Sequence, residues 1–144
     1  MQILIIFAAL STCYTLAFLQ QTIAIRGQLM CGAKALNDAR IEVWNKNKLG
    51  VDDQLIDTRT NNAGYFEAIG RRIGAFFHIK PYMRVYHTCD HDTNILGMQF
   101  KKPGSRTVKW TIPSRFVDRS GKVGEFFDIG IVNMQIIFPK EMIK

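Results

Sequence analysis

The chain has 144 residues, with 19 lysines and arginines against 12 aspartates and glutamates, a formal charge of +7 and 47% hydrophobic residues. That length holds one domain with a single core, and no linker, repeat or low-complexity stretch divides it. No N-x-S/T acceptor occurs, which removes N-glycosylation, and the cation surplus favours anionic partners while also serving solubility.

Residues 1–17 carry no charged side chain and include the apolar run 3–10. Thr15-Leu16-Ala17 places small residues where a signal peptidase reads, so a secretory leader over 1–17 and a mature domain over 18–144 are expected. The apolar run is too short to span a bilayer comfortably, so no membrane-spanning segment is expected. Leu10-Ser11-Thr12-Cys13 loosely resembles a lipid-attachment site, but the run before it is short, and Cys13 leaves with the leader. Cys31 and Cys89 then remain, an even count with one possible pairing in an oxidising compartment. Outside the cell the anionic partners of a +7 chain are phospholipid headgroups or acidic glycans rather than nucleic acid.

The first strand pattern covers residues 23–31 (IAIRGQLMC), where Ile23, Ile25, Leu29 and Cys31 share one face and Arg26, Gln28 and Met30 the other. Ile41 and Val43 alternate with Glu42 and Trp44 before the turn signal Asn45-Lys46-Asn47. Asn61-Asn62-Ala63-Gly64 is a second turn and opens a strand over 65–69. Residues 79–89 (IKPYMRVYHTC) put Ile79, Met83, Val85, His87 and Cys89 on an apolar face, and Lys80, Tyr82, Arg84 and Tyr86 on the opposite one. Two strands that each end in an inward cysteine suggest a disulfide between Cys31 and Cys89.

Val108, Trp110 and Ile112 alternate with Thr107, Lys109 and Thr111 until Pro113 stops the pattern. Residues 125–138 change phase: Phe127, Ile129 and Ile131 share one face, and Val132, Met134, Ile136 and Phe138 the other. A bulge near residues 130–132 or a move between two packed sheets reconciles them. No segment keeps a helical period over three turns, so the strands and turns predict an all-β sandwich.

In order and spacing the chain resembles the nematode transthyretin-like proteins. The resemblance runs from Gly27-Gln28-Leu29-Met30-Cys31-Gly32 through Asp53, Leu55, Asp57 and Thr60, Gly64-Tyr65-Phe66 and Gly70. It continues with Ile79-Lys80-Pro81-Tyr82, Tyr86-His87-Thr88-Cys89, Lys102-Pro103, Ile112-Pro113 and Phe127-Asp128-Ile129-Gly130 with Asn133. The resemblance implies a secreted transthyretin-like (prealbumin-like, immunoglobulin-like) β-sandwich of about seven to eight strands. Many family members have a second cysteine pair, after the proline of the Lys102-Pro103 segment and after an acidic residue near the C-terminus. Here Gly104 and Met142 stand at those places. Both partners are missing together, which leaves Cys31 with Cys89.

Related hydrolases of 5-hydroxyisourate use His and Arg side chains and a C-terminal Tyr-Arg-Gly-Ser, whereas this chain ends Glu141-Met142-Ile143-Lys144. No nucleophile elbow or phosphate loop is present, and Asp90-His91-Asp92 reads as a solvated loop, so no enzymatic activity and no cofactor are expected. His87-x-Cys89-x-His91 has zinc-ligand character, but a disulfide removes the Cys89 thiolate and leaves His87 as a satisfied residue at the core edge. Asp52, Asp53 and Asp57 lack the glycine and terminal glutamate of an EF-hand and read as a solvated loop rather than a calcium site.

Binding is the function that remains. Lys101, Lys102, Arg106 and Lys109 are dense in sequence and Arg71-Arg72 adds a second cluster, together the candidate anionic-surface site. The Lys80, Tyr82, Arg84, Tyr86 face mixes cations with rings and suits protein or headgroup contacts. The expected function is a secreted, non-enzymatic binding protein of the extracellular space or cell surface, whose partner is an extracellular protein or an anionic lipid surface. One alternative implied by the resemblance is a bridge between phosphatidylserine on one cell and a phagocyte receptor on another. A second is a carrier of a small apolar ligand.

Overall fold

The computed structural model describes residues 20–73, 77–89, 92–95, 98–101 and 105–143, together with residues 2, 5 and 6. Seven strands of six or more residues build two sheets: β1 (Gln21–Cys31), β3 (Arg40–Asn45), β4 (Asp53–Arg59), β5 (Tyr65–Arg72), β6 (Pro81–His87), β9 (Arg106–Thr111) and β11 (Phe126–Asn133). Two-residue strands β2 (Lys34–Ala35), β10 (Val117–Asp118) and β12 (Met142–Ile143) extend them, and β7 (Asp92–Ile95) pairs β8 (Met98–Lys101) in a separate hairpin. Among the described residues from 20 onward, helix is confined to the 3₁₀ turn Ser114–Phe116. The all-β sandwich expected from the alternation is present.

In one sheet β1 is central. β5 runs antiparallel beside residues 21–28, and β11 runs parallel on the other side. The second sheet has the order β12-β9-β6-β3-β4, antiparallel throughout. Ile23, Ile25, Leu29 and Phe66 of the first sheet meet Ile41, Val43, Met83, Val85 and Val108 of the second, and this layer is the core. The inward and outward sets of β1, β3 and β6 are those the period-two pattern predicts, because a one-residue slip in any of them would turn its apolar face to water.

The phase change in β11 is a bulge. Arg26 pairs Asp128 but Gln28 pairs Ile131, so β11 carries one extra residue. Gly130 takes φ +65° there and its N–H donates to Asp128 Oδ1 at 2.8 Å. Ile129 thereby packs against the core, Ile131 is 74% exposed, and Val132 and Met134 turn inward again. The turn before β5 closes on Asn61, whose Oδ1 accepts from Ala63 N and Tyr65 N at 3.0 Å each. At Gly64, with φ +78°, a Cβ would run into the Leu29 carbonyl oxygen.

Cys31 and Cys89 form a disulfide, with Cα atoms 5.6 Å apart. It closes one end of the sandwich, the end where β1 and β6 finish. His87 is 3% exposed beside it, and its Nδ1 accepts from Cys89 N at 3.2 Å.

The same end corrects one expectation. Arg106 does not belong to a basic surface: it is 5% exposed. Its Nη1 donates to Cys89 O at 3.0 Å and Met134 O at 2.9 Å, its Nη2 to Ile136 O at 3.0 Å, and its fork holds the Glu141 carboxylate. A buried guanidinium is tolerated only when its donors are used in this way.

Candidate functional site

The opposite end of the sandwich collects the start of β1, the end of β3 and start of β4, the end of β5 and start of β6, and the end of β9. Arg71 and Arg72 close β5 there, and Lys109 approaches from the outer face of β9. Arg71 is exposed, while Arg72 Nη1 is salt-bridged to Asp53 and reaches Asn47 Oδ1 at 3.5 Å. The Lys109 Nζ sits 3.8 Å from the centre of the Tyr82 ring. The Lys101 side chain and all of Lys102 lie outside the described residues. The six candidate cations are thus not one patch, but Arg71, Arg72 and Lys109 converge on this end.

Two hydrogen-bonded loops complete it. In the turn between β3 and β4, Asn47 N donates to Asp52 Oδ1 at 3.0 Å, and Asn47 Nδ2 donates to Val51 O at 2.6 Å and Asp53 Oδ2 at 3.0 Å. This winds the loop so that Leu49 and Val51 point away from the protein, 93% and 85% exposed. In the segment entering β6, the buried Gln21 side chain grips the backbone on both sides of His78. Its Nε2 donates to Phe77 O at 2.8 Å and its Oε1 accepts from Ile79 N at 3.1 Å. Lys80 N donates to Asn45 Oδ1 at 2.8 Å and Lys46 N to Lys80 O at 3.0 Å, locking the two loops together. Phe77, held by this staple, is 86% exposed.

Cations share a cleft with two of these apolar side chains, Leu49 and Phe77. Lys46, Lys48, Leu49, Phe77, His78 and Lys80 line one open cleft of about 530 Å³. A neighbouring one of about 400 Å³ links Lys46 and Lys80 to Tyr82 and Lys109. Arg119 Nη1 lies 2.8 Å from His78 Nε2 and adds a further charge. Among the described residues Lys46, Lys48, Lys80 and Lys109 form no salt bridge.

The acids near them are already engaged. The Tyr82 hydroxyl, donating to Asp52 Oδ2 at 2.7 Å, and the Asn47 N–H hold the Asp52 carboxyl below its ordinary value of 3.8. Hydrogen bonds from Asn47 and Asn45 and the charge of Arg72 do the same for Asp53. Asp57 is held low by the Arg40 fork, with bonds of 3.0 and 2.7 Å. All three carboxylates accept hydrogen bonds from side chains or backbone.

The outer face of β6 is less wet than its polarity suggests. Tyr82 is 4% exposed because Arg84 and Lys109 stack on its ring, with Arg84 5.1 Å from its centre and 5.9 Å from that of Trp44. Burial and the Asp52 bond push the Tyr82 hydroxyl up to about 12. Glu42, 4% exposed, accepts from Trp44 Nε1 and Tyr86 Oη at 2.9 Å each. Alternation placed these residues on one face, but it cannot show that cations and rings bury one another.

Lys46, Lys48, Leu49, Val51 and Phe77 are the site residues that sequence reasoning missed. The signal was present, since two apolar residues alternate with glycine and lysine inside a turn that has no strand to bury them.

Against known proteins, residues 26–113 match the family model described as TTR-52, transthyretin-like family. Transthyretin-like protein 46 of Caenorhabditis elegans is 33% identical over 128 residues, covering 88% of this chain and 67% of that protein. Transthyretin-like protein 33 of the same organism is 32% identical over 126 residues, covering 87% and 82%. Among solved structures, a 9R-lipoxygenase from Cyanothece aligns with 78% of this chain and 16% of its own at 17% identity and a TM-score of 0.40, too slight a likeness to carry meaning.

Proposed function

The chain belongs to the nematode transthyretin-like family, and from that premise we propose that it is a secreted, non-enzymatic binding protein whose basic loop end docks on a negatively charged surface. The uncharged leader over 1–17 and a disulfide suited to an oxidising compartment support export of the 18–144 domain. One observation carries the docking reading: lysines without ion-pair partners among the described residues share a cleft with Leu49 and Phe77, which are 93% and 86% exposed. An isolated exposed leucine is ordinary, but exposed apolar side chains together beside such lysines mark a contact surface.

Anionic phospholipid is the favoured surface, because each lysine close to a charged leaflet contributes about 1 kcal/mol. Bridging from such a membrane to a protein receptor is the finer reading, and the half-buried Trp44, Arg84 and Tyr86 beside the buried Tyr82 are residue types that protein interfaces enrich.

Co-sedimentation with phosphatidylcholine vesicles, with and without phosphatidylserine, tests the docking. Binding is expected only with the anionic lipid and is expected to weaken steeply with salt. The triple variant Lys46→Gln, Lys48→Gln, Lys80→Gln is expected to bind roughly a hundredfold more weakly. Binding that ignores lipid charge, or a triple variant that binds like the parent, removes this reading.

A further inference from the structure

We propose that Leu49, Val51 and Phe77 insert into the acyl boundary of an anionic bilayer while Lys46, Lys48 and Lys80 hold its headgroups, a step that rests on the anionic-surface reading above. The charge of these lysines by itself explains attraction to a surface, but not why Leu49 and Phe77 stand 93% and 86% exposed in the lysine-lined cleft, with Val51 85% exposed two residues on in the same turn.

A loop can enter an apolar medium only if its backbone groups are satisfied internally. At these tips many of them are. The Val51 and Phe77 carbonyls accept side-chain amide protons from Asn47 and Gln21. The Asn47, Ile79 and Lys80 N–H groups donate to Asp52, Gln21 and Asn45, and Lys46 N closes onto Lys80 O. These bonds hold the bases of both loops in place before docking, which lowers the ordering cost of binding.

Charge decides for this end over the cleft beside Ile131. Ile131, 74% exposed, borders a cleft in which Arg26 is already paired with Asp128 at 2.8 Å and lies over the Phe126 ring. At the loop end the carboxylates of Asp52 and Asp53 are engaged, and among the described residues Lys46, Lys48 and Lys80 form no salt bridge. Cations beside exposed apolar side chains complement an anionic headgroup layer over hydrocarbon.

The full mature chain carrying Phe77→Trp tests the depth, read as the difference in emission from the parent. With vesicles containing phosphatidylserine or phosphatidylglycerol, the added indole is expected to shift to the blue and to be quenched by acyl-brominated lipid; with phosphatidylcholine alone it does neither. The variant Leu49→Ser, Val51→Ser, Phe77→Ser, altered only at exposed positions, is expected to keep the parent's melting temperature and lose about a hundredfold in vesicle affinity. Charge-dependent binding without blue shift, quenching or loss in the serine variant overturns insertion and leaves surface docking standing. No vesicle binding by the parent overturns both, and retention on polyglutamate without vesicle binding assigns the end to an acidic protein instead.

Discussion

Under the proposed export, the chain beginning near Phe18 is expected to show no free thiol, and the paired variant Cys31→Ser, Cys89→Ser to be about 4 kcal/mol less stable than the parent. The disulfide spans 58 residues of sequence, and most of its contribution comes from restricting the unfolded chain rather than from any contact in the folded one. For a domain of this size that loss corresponds to roughly 15 °C in melting temperature. Thermal unfolding of parent and variant, with the parent repeated under a reductant, measures it. Two free thiols in the exported protein, or a melting temperature that ignores the reductant, would contradict both the pairing and the oxidising compartment it implies.

Arg106→Leu is expected to cost about 3 to 5 kcal/mol, more than almost any other single change. The substitution leaves the Glu141 carboxylate, 3% exposed at its side chain, without its counter-ion, and the carbonyls of Cys89, Met134 and Ile136 without their donor. The pair also fastens β12 against β9, where Ile143 stands opposite Arg106.

The same pair sets an acid limit. Burial raises the Glu141 carboxyl, but the Arg106 hydrogen bonds and the Phe138 N–H outweigh it and hold the group below its ordinary value of 4.5. A depressed carboxyl contributes stability that is complete above its unfolded pKa and is lost as pH falls through the folded one. Urea unfolding is therefore expected to show stability falling below about pH 4.5, and Glu141→Gln to flatten part of that fall. A change of less than about 1 kcal/mol for Arg106→Leu would show that the network is dispensable.

Strand identity and facing were legible because a half-buried strand must alternate, and 23–31, 41–44 and 79–89 do so without exception through their inward positions. The bulge in β11 was legible for the same reason: a broken alternation with glycine at the break admits few explanations. Arg106 was legible too, through parity rather than composition. Val108, Trp110 and Ile112 point inward, and one more step back along the strand puts Arg106 on that face. Reading it with Lys101, Lys102 and Lys109 as a run of charge hid this, since neighbours in a strand face opposite ways.

The exposed apolar turn was legible, but the assembly of the loop end was not. Its residues come from turns distant in sequence, Lys46 to Val51 and Phe77 to Lys80, and only the Gln21 and Asn45 side chains bring them together. Alternation carries no information across such a closure. The stacking of Lys109 and Arg84 on Tyr82 likewise depends on the pairing of β9 with β6, which the pattern of either strand alone does not contain.

Hydrogen exchange on the mature protein, with and without anionic vesicles, tests most directly whether this end is the working surface. Slowed exchange is expected at residues 46–52 and 77–80, with β5 and the outer edge of β11 unchanged. Protection that falls on β5 and β11 instead, or no protection while the vesicles are bound, would contradict it.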